Sequence, residues 1–194
     1  MPSEAFPFTR LKDCGTIRSG QSFRKAPLED PTSRHFVIQT KDLLPEGHIS
    51  QTLMPVSLMG EKPKPNVEHG DLLILSRGVR FNAGVVGGLP GPSTALNMFY
   101  VFKPHATELL PEFIVGYLNN PVTQERLKRF ATGVTIPHLK ADDLGSIRIP
   151  VPTLEQQRAY VALIDACLEE KQLLERLSKL RSQQLSAAVD FTNL

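Results

Sequence analysis

The sequence predicts an α+β fold in two parts, a β-rich domain with several short helices over residues 1–152 and one long helix over residues 153–194. Three observations predict it. Sixteen prolines in 194 residues, well above the average share of about 5%, fall between the apolar segments and break the early chain into short pieces. After Pro111 the apolar spacing becomes helical. From Thr153 onward there is neither proline nor glycine, and Leu, Ala, Glu, Gln, Lys and Arg dominate, all good helix formers. Strands and helices mixed without a regular βαβ alternation give α+β.

Taken in order, Pro27, Pro31 and Pro55 punctuate the first third, and Gly87-Gly88-Leu89-Pro90-Gly91-Pro92 is a strong turn cluster. Between these breaks, His35-Phe36-Val37-Ile38-Gln39, Asp71 to Ser76 and Asn97 to Phe102 have strand composition. Beyond Pro111, Phe113, Ile114, Tyr117 and Leu118 recur at helical spacing. A second helix follows Pro121, whose fixed φ suits a first turn, and runs through Leu127 to Phe130 with Gly133 as its stop. A short helix around His138 to Leu144 precedes a terminal strand, Ser146-Ile147-Arg148-Ile149, closed by Pro150 and Pro152. Thr153-Leu154-Glu155-Gln156 is a capping box, in which the threonine hydroxyl accepts from the Gln156 backbone and the Gln156 side chain reaches back. One helix of roughly 36 residues would be about 54 Å long at ~1.5 Å per residue, far longer than the domain needs. Its stripe of Leu163, Ala166, Leu173, Leu177, Leu180 and Ala187 is broadened by Ile164, Cys167 and Leu174 and interrupted by Glu170 and Gln184. Such a stripe either folds back over its own domain or pairs with a second helix in a coiled coil or bundle.

Composition narrows the function classes. A chain of 194 residues and 21.5 kDa has room for one ordinary domain plus an appendage, which excludes a large multidomain enzyme. Its 41% hydrophobic and 22% charged residues and mean hydropathy of −0.14 allow a core and exclude a disordered or membrane-spanning chain. Met1-Pro2-Ser3-Glu4 begins no basic-then-apolar leader, so a reducing, cytoplasmic setting is expected. Cys14 and Cys167 lack C-x-x-C spacing and read as buried small hydrophobes.

The formal net charge of +2 is mild, but its distribution is uneven. Between Arg10 and Lys41 seven basic residues face three acidic ones, and from Pro121 to Lys140 four basic residues face Glu125 alone. The compensating acids gather in Asp165, Glu169, Glu170 and Glu175. Basic stretches of this kind form plain solvated faces or meet an anionic partner.

Catalytic patterns are missing. G-x-G-x-x-G, G-x-x-x-x-G-K-[ST] and G-x-S-x-G do not occur. His35, His48, His69, His105 and His138 are scattered without a cysteine pair, so neither a metal site nor a cofactor is expected. Asn119-Asn120-Pro121-Val122 lacks the second proline and the aromatic of an adenine methyltransferase motif and reads as a helix break. Glu169-Glu170-Lys171 sits mid-helix and reads as a solvated face.

Two polar loops remain. Ser76-Arg77-Gly78-Val79-Arg80-Phe81-Asn82 follows a strand; arginine pairs with guanine, asparagine with adenine, and Gly78 permits close approach to a phosphate. Thr132-Gly133-Val134-Thr135-Ile136-Pro137-His138-Leu139-Lys140 is rich in hydroxyls and leads into a helix start that can meet a phosphate. Residue chemistry therefore assigns base readout to Arg77, Arg80 and Asn82, and phosphate or groove contact to Arg24, Lys25, Thr135, His138 and Lys140. Loops of this composition also occur as simple solvated surface.

The ordered set of segments resembles a family. Leu11-Lys12-Asp13-Cys14-Gly15-Thr16-Ile17-Arg18-Ser19-Gly20, then Gly70-Asp71-Leu72-Leu73-Ile74-Leu75-Ser76-Arg77-Gly78, is similar to the opening half of the target recognition domain of type I restriction-modification DNA specificity subunits. Ala131-Thr132-Gly133, leading through Ile136 and Leu139 to Leu144-Gly145-Ser146-Ile147-Arg148-Ile149-Pro150-Val151-Pro152-Thr153-Leu154-Glu155-Gln156-Gln157, strengthens the resemblance. The ending, a strand of the type I-x-I-P-x-P running into L-E-Q-Q, is its most specific mark. The resemblance implies a non-catalytic subunit that binds double-stranded DNA and positions a modification subunit, which methylates adenine, and a restriction subunit.

A complete subunit of that family resembles two recognition domains, each followed by a spacer helix. This sequence holds one of each, so it resembles a half-subunit. Two copies paired through Leu163, Ala166, Leu173, Leu177 and Leu180 would form a homodimer suited to an inverted-repeat site. The alternatives are a protein-interaction module that does not touch DNA and a specificity fragment of a larger restriction enzyme.

Overall fold

The computed structural model describes residues 6–57, 64–105 and 108–190, with side chains described to residue 187. Met1-Pro2-Ser3-Glu4 and the last four residues of the expected helical tract lie outside the described residues. The strands, in chain order, are β1 Phe8–Arg10, β2 Gly15–Ser19, β3 Leu28–Glu29, β4 Phe36–Ile38, β5 Val56–Ser57, β6 Leu72–Leu75, β7 Ala83–Val85, β8 Ser93–Ala95, β9 Phe99–Pro104 and β10 Arg148–Pro150. The helices are α1 Pro111–Asn119, α2 Pro121–Phe130, α3 Ala141–Gly145 and α4 Leu154–Asp190. The expected α+β architecture with a long C-terminal helix is the one observed.

The centre is a four-stranded antiparallel sheet in the order β2-β9-β6-β7. Alternate residues of a strand point to opposite faces, and here both faces are covered. Leu72, Ile74, Ala83, Val85, Tyr100 and Phe102 pack on the side that receives Phe113, Ile114 and Leu118 of α1 and Leu127 of α2. Leu73, Phe99 and Val101 face the other way, into a smaller cluster with Ile38, Ile49, Val86 and Ala95. This double cover explains why Leu72-Leu73-Ile74 is a continuous apolar run rather than an alternating one. Three two-stranded pairings complete the fold: β1 with β10, β3 with β5, and β4 parallel to β8.

Helices α1, α2 and α4 begin where the sequence expects. Pro111 and Pro121 both occupy the first turn, and the Asn120 side chain caps α2 by accepting from the Val122 N–H at 2.9 Å. Asn119 makes two hydrogen bonds with the Ala83 backbone, one in each direction, at 2.7 and 2.9 Å. The Asn119-Asn120 pair therefore serves a helix junction, as its lack of the methyltransferase pattern implies. Three boundaries differ from expectation. Helix α2 stops at Phe130, before Gly133; α3 starts at Ala141, because the His138 backbone is engaged in bridges to Arg77 and Thr132; and the last strand is shifted to Arg148–Pro150 by its register on β1.

The root of α4 is fixed to the domain by a buried glutamine. Gln157 donates from Nε2 to the carbonyls of Glu108 at 2.7 Å and Pro152 at 3.0 Å, and its Oε1 accepts from the Leu110 N–H at 2.8 Å. The capping box is present: the Gln156 N–H donates to Thr153 Oγ1 at 3.3 Å, and the Thr153 N–H donates to Gln156 Oε1 at 3.0 Å. Tyr160 packs edge-on against Phe113, with ring centres 5.5 Å apart. Gly116 of α1 lets α4 approach, since a Cβ there would lie 2.5 Å from Ile164 Cδ1. Beyond this root one side of the helix still meets the domain, with Ile164 and Leu168 half-buried and Gln172 Nε2 donating to Glu46 Oε1 at 2.7 Å, whereas Leu163, Ala166, Leu173, Leu177 and Leu180 are all exposed. The stripe does not fold back over its own domain. Cys14 is buried as expected, whereas Cys167 is exposed, because α4 touches the domain along only part of its circumference at that level. No helix among the described residues is long and apolar enough to cross a membrane.

Candidate nucleic-acid interface

Strand register gathers the polar loops. Ser19, the last residue of β2, lies opposite Tyr100, and Leu75, the last of β6, lies opposite Phe99 at the start of β9. The chains leaving β2 and β6 therefore emerge at the same end of the central sheet. The first carries Arg24 and Lys25, and the second carries Arg77, Arg80 and Asn82.

Ser76 ties the third loop to this end. Its backbone N–H and its Oγ both donate to the Met98 carbonyl, at 2.9 and 3.0 Å. Its carbonyl accepts from the Leu139 N–H and from His138 Nδ1, each at 2.9 Å. Because a carbonyl only accepts, Nδ1 carries the proton, and Nε2 is the ring nitrogen left for other partners. The Gly78 N–H adds a bond to the Pro137 carbonyl at 2.9 Å. Residues 77–78 and 137–139 thus run side by side as a short two-stranded edge.

Each loop is braced internally. Thr132 and His138 exchange backbone hydrogen bonds at 2.8 and 2.9 Å, which closes residues 132–138 into a narrow projection. Gly133 makes that closure possible: its φ is +103°, and a Cβ would lie 2.9 Å from the Ile136 carbonyl oxygen. Tyr100 supports the base of the projection, donating its hydroxyl to the Leu139 carbonyl at 2.8 Å. Burial pushes that phenol above its ordinary pKa, against a smaller opposing pull from Arg77, so it stays a donor at neutral pH. In the other loop, Phe81 is fully buried and held by Gln124 of α2. The Phe81 N–H donates to Gln124 Oε1 at 2.9 Å, while Gln124 Nε2 donates to the carbonyls of Phe81 at 3.1 Å and Leu118 at 2.8 Å. Arg80 and Asn82 therefore flank a pinned residue.

Arg24, Lys25, Arg77, Arg80, Thr135 and Lys140 are exposed, and Asn82 and His138 are half-buried. Arg77, Arg80 and Lys140 take part in none of the ion pairs formed among the described residues. The expected phosphate-binding helix start is weaker than the sequence suggests. Helix α3 has five residues, and Asp142 and Asp143 already occupy its first turn, where they would oppose an anion. Lys140 is thus a side-chain contact at most.

Sequence reasoning misses the parts that assemble this end. Gln124 reads as an exposed helical glutamine, and Ser76 gives no sign of its hydrogen bonds to the Asn97 and Met98 carbonyls, the Leu139 N–H and the His138 ring. Lys64 is also missed: its N–H donates to Gln21 Oε1 at 3.1 Å, and Gln21 joins the turn before β9 through bonds to Ala95 and Asn97. A further exposed cation therefore stands beside the loop that follows β2.

Comparison with known proteins bears on this arrangement. Residues 4–179 match the family model described as type I restriction modification DNA specificity domain. No curated protein matches the chain. Among solved structures it is similar to the HsdS subunit from Thermoanaerobacter tengcongensis, at 20% identity and a TM-score of 0.59, over 91% of this chain and 40% of that one. It is also similar to the S subunit of a type I restriction-modification system from M. genitalium, at 16% identity and a TM-score of 0.58, over 91% of this chain and 43% of that one. A chain from a study of complex assembly in the type I R-M system matches at 19% identity and a TM-score of 0.59, again over 91% of this chain and 42% of the other. These likenesses show a shared fold, and the chain spans about two fifths of those subunits' length. Since the family match runs from the first strand into the exposed part of α4, the chain belongs to the type I restriction modification DNA specificity domain family.

Proposed function

We propose that this chain reads one half-site of a double-stranded DNA target and does no chemistry itself, positioning an adenine-methylating modification subunit and a restriction subunit on that site. One observation carries the reading: three loops that are far apart in sequence, and carry Arg24, Lys25, Arg77, Arg80, Asn82, Thr135, His138 and Lys140, meet at one end of a braced sheet. A rigid edge suits a polyanion, because Arg77, Arg80 and Lys140, which form no ion pair among the described residues, are presented from it without first being released from one. In this reading Arg77, Arg80 and Asn82 face base edges. Arg24, Lys25, Thr135, His138 and Lys140 face the backbone. Two copies joined through α4 present two such edges related by a two-fold axis and favour an inverted repeat.

The test is selection from a random duplex library, with the chain alone and with the modification subunit. An enriched inverted repeat is expected, with affinity falling as salt rises by about 0.9 in log–log slope per phosphate contact. Failure to enrich any sequence, or a flat salt dependence, would overturn the reading.

A further inference from the structure

The projection that carries Thr135 also carries a group of apolar side chains that the cationic reading does not use. Val134 is 103% exposed, Ile136 62%, and Val79, in the adjoining loop, 76%. None of them packs into a core cluster of the domain. They are nevertheless held in place, since the Gly78–Pro137 bond, the Leu139–Ser76 bond and the reciprocal Thr132–His138 bonds fix the backbone on both sides. Exposure of apolar groups on a rigid support is the pattern of a contact surface rather than of a loose tip. Arg77 and Arg80 lie on either side of Val79 in the adjoining loop and Lys140 follows the projection in sequence, and none of the three forms an ion pair among the described residues, so an occupant anionic around an apolar point fits it.

We propose that Val134, supported by Ile136, reads the methyl group of a thymine in the major groove. This deepens the DNA-reading function and rests on it. The reciprocal Thr132–His138 bonds close residues 132–138 into a narrow projection, a shape suited to the roughly 12 Å major groove rather than the roughly 6 Å minor groove. Within the major groove the base edges present donors and acceptors, and one apolar group, the thymine C5 methyl. A branched side chain with no polar atom discriminates there by burying that methyl and by leaving a cytosine amino group without a partner.

The experiment replaces each thymine of the selected duplex, one at a time, by deoxyuridine, which removes the methyl and keeps the pairing. Affinity is measured for the unaltered chain, the double variant Val134→Ala, Ile136→Ala, and Val122→Ala as a control on an exposed valine of α2. One deoxyuridine position should weaken the unaltered chain and the control by about fourfold, the worth of one buried methyl group, and should leave the double variant's affinity unchanged. A neutral scan at every thymine, a selected site without thymine, or an equal deoxyuridine penalty in the double variant overturns the proposal while the base-reading function stands. If no duplex is enriched at all, both fall together. Because the substituted side chains are on the surface, their folded fraction should match the unaltered chain in a urea titration.

Discussion

Arg80 and Asn82 owe their positions to a residue that faces away from solvent. Phe81 is buried between them and exchanges backbone bonds with Gln124, so the two polar side chains are directed outward by a fixed point. Preorganisation of this kind matters for base readout, since an arginine that forms two bonds to guanine is worth about 1–3 kcal/mol of discrimination when its geometry is held. Arg80→Ala should therefore weaken the preferred duplex by about 1–3 kcal/mol in competitive titration and leave random DNA bound as before. An equal loss on all sequences would move Arg80 to the backbone-contact group. Gln124→Ala tests the support itself. It leaves the Phe81 N–H and the Phe81 and Leu118 carbonyls unmet in a dry interior, where an unsatisfied group costs about 1–3 kcal/mol. A stability loss of at least about 2 kcal/mol is expected from urea denaturation, with reduced discrimination between duplexes even where the protein is folded. The residue types in these loops are legible in the sequence because their chemistry is carried by the side chain alone. What brings them together is a backbone carbonyl of Ser76 bonded to residues 138 and 139, and no local pattern records a backbone contact at that separation.

At the level of elements, legibility follows length and period. Strands β6 and β9 and helices α1, α2 and α4 are marked by apolar runs or by helical spacing. Strand β4 falls within the expected His35–Gln39 strand, whereas β3, β5 and β8 have two or three residues each, too short for any period to show. Their existence depends on partners brought close by the rest of the fold. The same contrast separates the two anchors of α4. The capping box is visible in Thr153-Leu154-Glu155-Gln156, whereas Gln157, the next residue, has the appearance of a solvated glutamine and is fully buried. Its role gives the L-E-Q-Q ending a physical reason: the first glutamine caps the helix and the second ties it to residues 108–110 and Pro152. Close approach of α4 to α1 then depends on Gly116. Gly116→Leu would set a branched side chain against Ile164 and Tyr160, and overpacking of this kind costs about 1–3 kcal/mol. The expected result is a lower thermal midpoint together with a longer distance between spin labels placed on α2 and on α4 beyond Leu173. An unchanged distance would mean that Gly116 does not set how closely α4 lies on α1.

At the scale of the whole molecule, the leucine stripe of α4 has no partner among the described residues. At ~1.5 Å per residue, the 37 residues of α4 extend well past the domain, and Leu173, Leu174, Leu177, Leu180 and Leu185 are 43–70% exposed. A single solvated helix gains little from hydrogen bonds alone, because most helical stability in proteins comes from packing of an apolar face. Each leucine covered completely would contribute about 1.5–3 kcal/mol, so pairing of two stripes offsets the entropy of association that a chain of this size must overcome. The charges on the flanks fit that use, since Lys171 and Glu175 form an ion pair along the helix beside the leucines. We propose that two chains pair through this stripe; replacing Leu173 and Leu177 by aspartate should then leave only a species near 21.5 kDa in size-exclusion chromatography with light scattering. The recognition edge lies at the far end of the central sheet from any contact with these residues, so the variant should still bind a single half-site with the same salt dependence. It should lose the preference for an inverted repeat over that half-site. A variant that keeps the mass of the unaltered chain would rule out the stripe as the dimer contact, and an unaltered chain that is already monomeric at micromolar concentration, with or without the modification subunit, would rule out the homodimer.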